Sequence, residues 1–151
     1  MCIRDRNVIG TYSNTDIRAL KTNDTYPAAG SRYWGVPRNM GSLWNTYDFQ
    51  QEALHGLKVG GGVTLRDSQL AYNSTDPNFS IPGYATVDLL AAYSLKIGKS
   101  KVTAQLNVNN LFDKYYYTSL YMTPDPTNQA NSAYANFGAP RTFMGSIGIQ
   151  F

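Results

Sequence analysis

From Pro140 to Phe151 the side chains change character with a period of two, and no other feature of the chain narrows its fold so far. Phe143, Ile147, Ile149 and Phe151 fall on one face; Thr142, Met144, Ser146 and Gln150 fall on the other, with the small residues Gly145 and Gly148 between them. Only an extended strand puts residues i and i+2 on the same side, so a slip of one residue would turn every side chain over. Such a strand lies between two surroundings, one apolar and one able to hydrogen-bond. The sequence ends on the apolar face with an aromatic, whereas the last residues of a soluble domain are generally polar and frayed. An ordinary edge strand is the alternative reading of this segment.

The same period recurs five more times. Asn7 to Ile17 is rich in Val, Ile, Thr and Tyr, which suit a pleated surface. Asn39 to Phe49 sets Leu43, Tyr47 and Phe49 against Trp44, Thr46 and Asp48. Gly56 to Arg66 sets Leu57, Val59, Val63 and Leu65 against Lys58, Thr64 and Arg66; its run Gly60, Gly61, Gly62 marks a bend in the wall or a close approach. Gly83 to Leu95 sets Val87, Leu89, Ala91, Tyr93 and Leu95 against Thr86, Asp88, Ala92 and Ser94, with Leu90 as the one misfit. The cleanest alternation places Val102, Ala104, Leu106 and Val108 against Thr103, Gln105, Asn107 and Asn109, a polar face suited to a wet lumen.

Between these segments run Arg18 to Arg38, Gln50 to His55, Asp67 to Pro82, Lys96 to Ser100, and Asp113 to Ala139, in the order long, short, long, short, long. The pattern predicts an all-β chain: an antiparallel six-stranded meander of a transmembrane outer-membrane β-barrel, with short turns in the periplasm and long loops outside the cell. A soluble sandwich also alternates apolar and polar faces, but nothing in it demands alternating loop lengths. The absence of a run near 18 apolar residues does not argue against membrane insertion, because a barrel strand crosses with about ten alternating ones.

Composition removes other classes. The formal charge of +3 is spread along the chain with no block of Lys or Arg, so there is no footprint for nucleic acid. One cysteine, Cys2, leaves no internal disulfide, and one histidine, His55, builds no metal cluster by itself and leaves little room for acid–base catalysis. No enzyme is expected. Residues 1–6, MCIRDR, are densely charged, fit no strand pattern and lack the apolar core of a signal peptide. They are expected to be a leader foreign to the fold, a cloning or gene-prediction scar, ahead of a fragment covering residues 7–151.

Three stretches resemble the carboxyl-terminal part of TonB-dependent outer-membrane receptors, most closely the ferric-siderophore receptors. These are Gly35-Val-Pro-Arg38 leading into Ser42-Leu-Trp-Asn-Thr-Tyr47; Ile81-Pro-Gly-Tyr84 through Val87-Asp88 to Ala92-Tyr93; and Val108-Asn-Asn-Leu-Phe-Asp113 with Tyr116, joined to Pro140-Arg-Thr-Phe143. The last six residues, Ser146 to Phe151, resemble the terminal signal of outer-membrane barrels, with Ser146, Gly148, Ile149 and Phe151 at its defining positions. The resemblance implies the last six strands of a plugged barrel of roughly 22 strands, the plug, the TonB box and the earlier strands lying outside this chain. It also implies import of an Fe(III)-siderophore as cargo with no resident cofactor or metal. The implied partners are outer-membrane lipid and lipopolysaccharide, the barrel-assembly machinery through the terminal strand, and TonB through the plug. A passive porin or small structural barrel, and a soluble carbohydrate-binding β-sandwich with aromatic loops as a sugar platform, are the rival readings.

Under the resemblance, aromatic and basic side chains of the outer loops hold the chelate, aromatics offering rigid area with a polar tip. The candidates are Tyr26, Arg32, Tyr33 and Trp34 in the first long loop, Tyr72 and Phe79 in the second, and Tyr116, Tyr121, Tyr134 and Phe137 in the third. Tyr and Trp also form the interfacial girdles of such barrels, and Tyr47, Tyr84, Tyr93 and Tyr115 are assigned there. Asp113, with Asn109 and Asn110, is read as structural, turning the chain where strand gives way to loop. Asp88 with Lys58 or Arg66 is a candidate lumen charge pair.

Overall fold

The computed structural model describes residues 5–21, 29–72, 79–124 and 131–151. In chain order the strands are β1 (Arg6–Asn14), β2 (Asn39–Asp48), β3 (Leu57–Arg66), β4 (Gln69–Leu70), β5 (Ser80–Ile81), β6 (Tyr84–Ile97), β7 (Ser100–Asn109), β8 (Tyr117–Pro124), β9 (Asn131–Phe137) and β10 (Thr142–Gln150). Six of them form one antiparallel meander in the order β1-β2-β3-β6-β7-β10, while β4-β5 and β8-β9 are separate hairpins within the second and third long loops. The six expected strands are therefore present in the expected order. Arg6, assigned to the leader, instead opens β1 opposite Tyr47. Thr15 to Arg38 is not wholly irregular either: Thr15 N donates to Arg38 O, Tyr33 N to Ile17 O and Ala19 N to Ser31 O, so the arms of the first loop keep bonding beyond the sheet.

Register turns the alternation of single strands into two continuous surfaces. Across the sheet Leu43 lies opposite Val63, Val63 opposite Val87, Leu89 opposite Val108, and Val108 opposite Phe143. One residue along each strand, Thr11 lies opposite Ser42, Ser42 opposite Thr64, and Thr64 opposite Thr86. Each face is thus mainly apolar or mainly polar across the sheet, because cross-strand partners point the same way. Leu90, the misfit, faces the polar side between Gly60 and Asn107, where a glycine leaves it room.

No second layer covers the apolar face among the described residues. Ile147 is 77% exposed and Leu65 53%. The chain presents 11000 Å² to solvent, whereas a compact monomer of its 16.7 kDa would present roughly 7,600 Å². A soluble sandwich closes that difference by packing a second sheet onto the first; here the uncovered face is the one built of Val, Leu, Ile and Phe. Among the described residues no helix is long and apolar enough to cross a membrane, which leaves strand crossing untouched.

The glycine run serves packing. On the polar face the indole of Trp44 lies over β3, and a Cβ at Gly62 would fall inside that ring, while one at Gly60 would sit 2.9 Å from Thr46 Cγ2. Of the two expectations for this run, close approach is the one seen at Gly60 and Gly62, and the approaching groups are side chains. Asp88 pairs with neither Lys58 nor Arg66: its Oδ1 accepts the backbone N–H of Asn110 at 2.8 Å, and Lys58 pairs with Asp48 at 3.3 Å.

Candidate functional site at the loop end of the sheet

Both short connections lie at one end of the sheet, and all three long loops lie at the other. At that loop end the three loops interlock. Gly35 N of the first loop donates to Leu70 O in β4, Tyr72 N donates to Leu120 O in β8, and the buried Gln69 donates from Nε2 to Thr118 O at 3.1 Å. Trp34, Ala71 and Ile81 are buried within this cap, at 7%, 0% and 2% exposure. A small core of its own holds the cap together, apart from the sheet.

The cap gathers the sequence candidates unevenly. Trp34 is a core residue, with the ring of Tyr33 at 5.1 Å from its own. Tyr72 stacks on Tyr121 at 4.7 Å and 12°, a near-parallel pair that joins the second loop to the third. Gly35, with φ of 70°, passes so close to the Tyr72 ring that a Cβ would overlap it. Both its conformation and its packing exclude a larger residue. Arg32 is half-buried and bridges Arg18 across the arms of the first loop. Phe79 is half-buried and lends its carbonyl to Ala71 N. Tyr134 stands opposite Tyr121 in the β8–β9 hairpin and is exposed, as is Phe137, whose ring lies 5.1 Å from Tyr117 and 5.5 Å from Tyr115. Tyr26 lies outside the described residues.

Tyr116 stands apart from this chain of rings. Its ring sits 4.2 Å from that of Tyr84 and covers Gly138. Burial, then the neighbouring Tyr84, push the Tyr116 phenol above its ordinary range, with a backbone hydrogen bond at Ala139 acting the other way. Tyr84 therefore does not belong to the lipid girdle: it lies opposite Arg66 on the polar face. Parity already carried that signal, since Tyr84 is two residues from Thr86 and four from Asp88. Tyr47 and Tyr93 do lie on the apolar face near the short turns, Tyr47 edge-on to Phe49 at 4.8 Å.

Asn110 anchors the third loop. It is 3% exposed at φ of 51°, donates from Nδ2 to the carbonyls of Lys114 and Ala139, and accepts Lys114 N at Oδ1. Asp113, at φ of 53°, accepts Arg141 N at 2.8 Å. The two side chains tie both ends of a loop of nearly thirty residues to one point, as their structural reading requires. Asn and Asp tolerate this backbone region better than other residues with a Cβ.

Beneath the cap, the polar face presents two rows across four strands: Ser13, Met40, Arg66 and Tyr84, then Thr11, Ser42, Thr64 and Thr86. A cavity of about 340 Å³ opens there. Arg66 and Tyr84 are the residues that sequence reading left out of the candidate set.

The curated proteins most relevant to this geometry are receptors of metal chelates. Metal-pseudopaline receptor CntO of Pseudomonas aeruginosa is 38% identical over 144 residues, covering 95% of this chain and 18% of that protein. The Ferrioxamine B receptor of Salmonella typhimurium is 34% identical over 142 residues, covering 93% and 18%. Among solved structures, the pyoverdine outer membrane receptor FpvA from Pseudomonas aeruginosa matches with a TM-score of 0.67 at 31% identity, covering 95% of this chain and 19% of that one. BauA, the ferric preacinetobactin receptor from Acinetobacter baumannii, shares the fold at a TM-score of 0.76 and 24% identity, covering 99% and 20%. The chain spans about a fifth of the length of these relatives. The family described as TonB dependent receptor-like, beta-barrel, matches residues 6–111. The family match sets a passive porin aside, and a carbohydrate-binding sandwich is set aside by that match together with the uncovered apolar face. The chain belongs to the TonB-dependent receptor β-barrel family and is a segment of an outer-membrane barrel wall with its outer loops.

Proposed function

We propose that this chain is the carboxyl-terminal wall and outer mouth of an importer of ferric siderophores, whose plug, TonB box and earlier strands lie outside residues 6–151. The observation that carries this reading is the cap of interlocked aromatic loops standing over a hydroxyl-lined polar face, in a chain similar to receptors named for metal chelates. The cap supplies rigid aromatic area for a bulky ligand, and Tyr121, Tyr134 and Phe137 are its ligand-facing residues. The cargo brings its own iron-binding oxygens, so the wall needs no resident metal or cofactor, and the role is transport without catalysis. The apolar face meets outer-membrane lipid and lipopolysaccharide. Ser146, Gly148, Ile149 and Phe151 present the signal read by the barrel-assembly machinery, while TonB acts through the plug.

The intact receptor, expressed in a strain stripped of its own siderophore receptors, is expected to restore growth on at least one ferric siderophore under iron limitation. That growth should vanish when tonB is deleted. Uptake that persists without TonB would sink the reading in favour of passive diffusion.

A further inference from the structure

The cations of the polar face differ in what neutralises them. Lys58 is paired with Asp48, and Lys96 and Lys101 face each other at the short-turn end. At the loop end stands Arg66, which forms no ion pair among the described residues. Its Nη2 donates to Gln69 Oε1 at 2.9 Å, so the guanidinium is held by a neutral amide that leaves its charge uncompensated. Its Nε is shut off from solvent and has no hydrogen-bond partner. Gln69 is 4% exposed and engaged at both ends of its amide, through Arg66 and through Thr118 O in β8. Asp67, next along the chain, makes no ion pair with Arg66: its carboxylate accepts from Asn39 Nδ2 and Ser68 N, and the cations that favour its charged form are Arg32 and Arg38. Thr11, Ser42, Thr64 and Tyr84 bring hydroxyls to the cavity beside Arg66, and Met40 and Leu65 line it with apolar surface.

A fixed arginine fork with hydroxyls around it matches paired anionic oxygens, and an uncompensated, partly desolvated charge gains most from a ligand that brings the opposite one. We infer that Arg66 reads anionic oxygens, carboxylate above all, on the imported chelate, and that Gln69 is its positioning residue. This rests on the uptake reading given above. A carboxylate elsewhere in the same polypeptide offers the same chemistry, and the test separates the two sources.

The intact receptor in detergent is titrated by tryptophan fluorescence with ferric citrate, which is anionic, ferrichrome, which is neutral, and ferrioxamine B, which carries a cation. The wild type is expected to favour the anionic chelate. Arg66→Gln should lower that affinity about ten- to a hundredfold and leave ferrioxamine B nearly unchanged. Arg66→Lys should recover part of the loss, since it restores charge without the fork. Gln69→Glu, which sets a carboxylate against the guanidinium, should shift preference toward the cationic chelate, an effect that loosening of the loop alone would not produce.

Equal loss for all three chelates, no loss for any, or a wild type that prefers ferrioxamine B overturns the inference while leaving uptake standing. So does an Arg66→Gln receptor with unchanged affinity but a lower melting point without ligand, which assigns the guanidinium to an internal carboxylate. A wild type that binds no ferric chelate takes down the uptake reading and this inference together.

Discussion

At the scale of single residues, Asn110 anchors the third loop through its backbone hydrogen bonds. Asn110 satisfies three backbone groups at 3% exposure and does so in a left-handed conformation. Asn110→Ala is expected to cost the intact barrel roughly 3 kcal/mol, combining lost hydrogen bonds with backbone strain. Asn110→Gly, free of the strain, should cost less; urea unfolding in detergent micelles checks both, and equal losses would show that strain contributes nothing. Tyr116 governs a different response. Its folded state holds the phenolic proton more tightly than the unfolded chain does, since burial and Tyr84 disfavour the phenolate. That contribution is complete below about pH 10 and is lost as pH rises through the folded value. Melting curves recorded from pH 9 upward should fall more steeply for the wild type than for Tyr116→Phe.

At the scale of elements, the long loops are structured pieces that hold one another. The Tyr72–Tyr121 stack and the bond from Tyr72 N to Leu120 O fasten the β8–β9 hairpin to the second loop, and Gly35 fits the first loop against the same ring. Tyr72→Ala should leave the barrel folded and speed limited proteolysis of the hairpin about tenfold, the value of one aromatic pair. Tyr72→Phe keeps the ring and should protect like the wild type. If Tyr72→Ala is equally protected, the hairpin stands without the cap. None of this was legible beforehand: the sequence reading left Asp67 to Pro82 and Asp113 to Ala139 as loops, because two-residue strands carry no period and β8–β9 is punctuated by Pro and Asn. The six long strands were legible because each spans several repeats of the alternation.

At the scale of the whole molecule, the two faces answer to different solvents. Leu106 sits mid-strand on the apolar face, between Ala91 on one side and Gly145 on the other. Leu106→Arg should destabilise the intact barrel in lipid vesicles by about 2–4 kcal/mol, the penalty for a cation near the bilayer midplane. Gln105→Arg, one residue away on the polar face, should cost far less. Similar losses at both positions would contradict the assignment of faces. The uncovered apolar area also means that this chain in isolation should aggregate in water and remain dispersed only in detergent.

The sequence by itself determined the six long strands, their order and which side of each is apolar, because a period of two is a local property that survives without knowledge of any partner. It also placed Asn110 and Asp113 correctly, since the conformations those residues tolerate are local too. Only the tertiary structure decided what faces what across strands and loops. It put Trp44 over Gly62, turned Tyr84 from the girdle to the polar face, buried Trp34 as the core of the cap, and left Arg66 beside a cavity with only a neutral partner. Register and loop packing join residues dozens of positions apart, and no period along the chain encodes those distances.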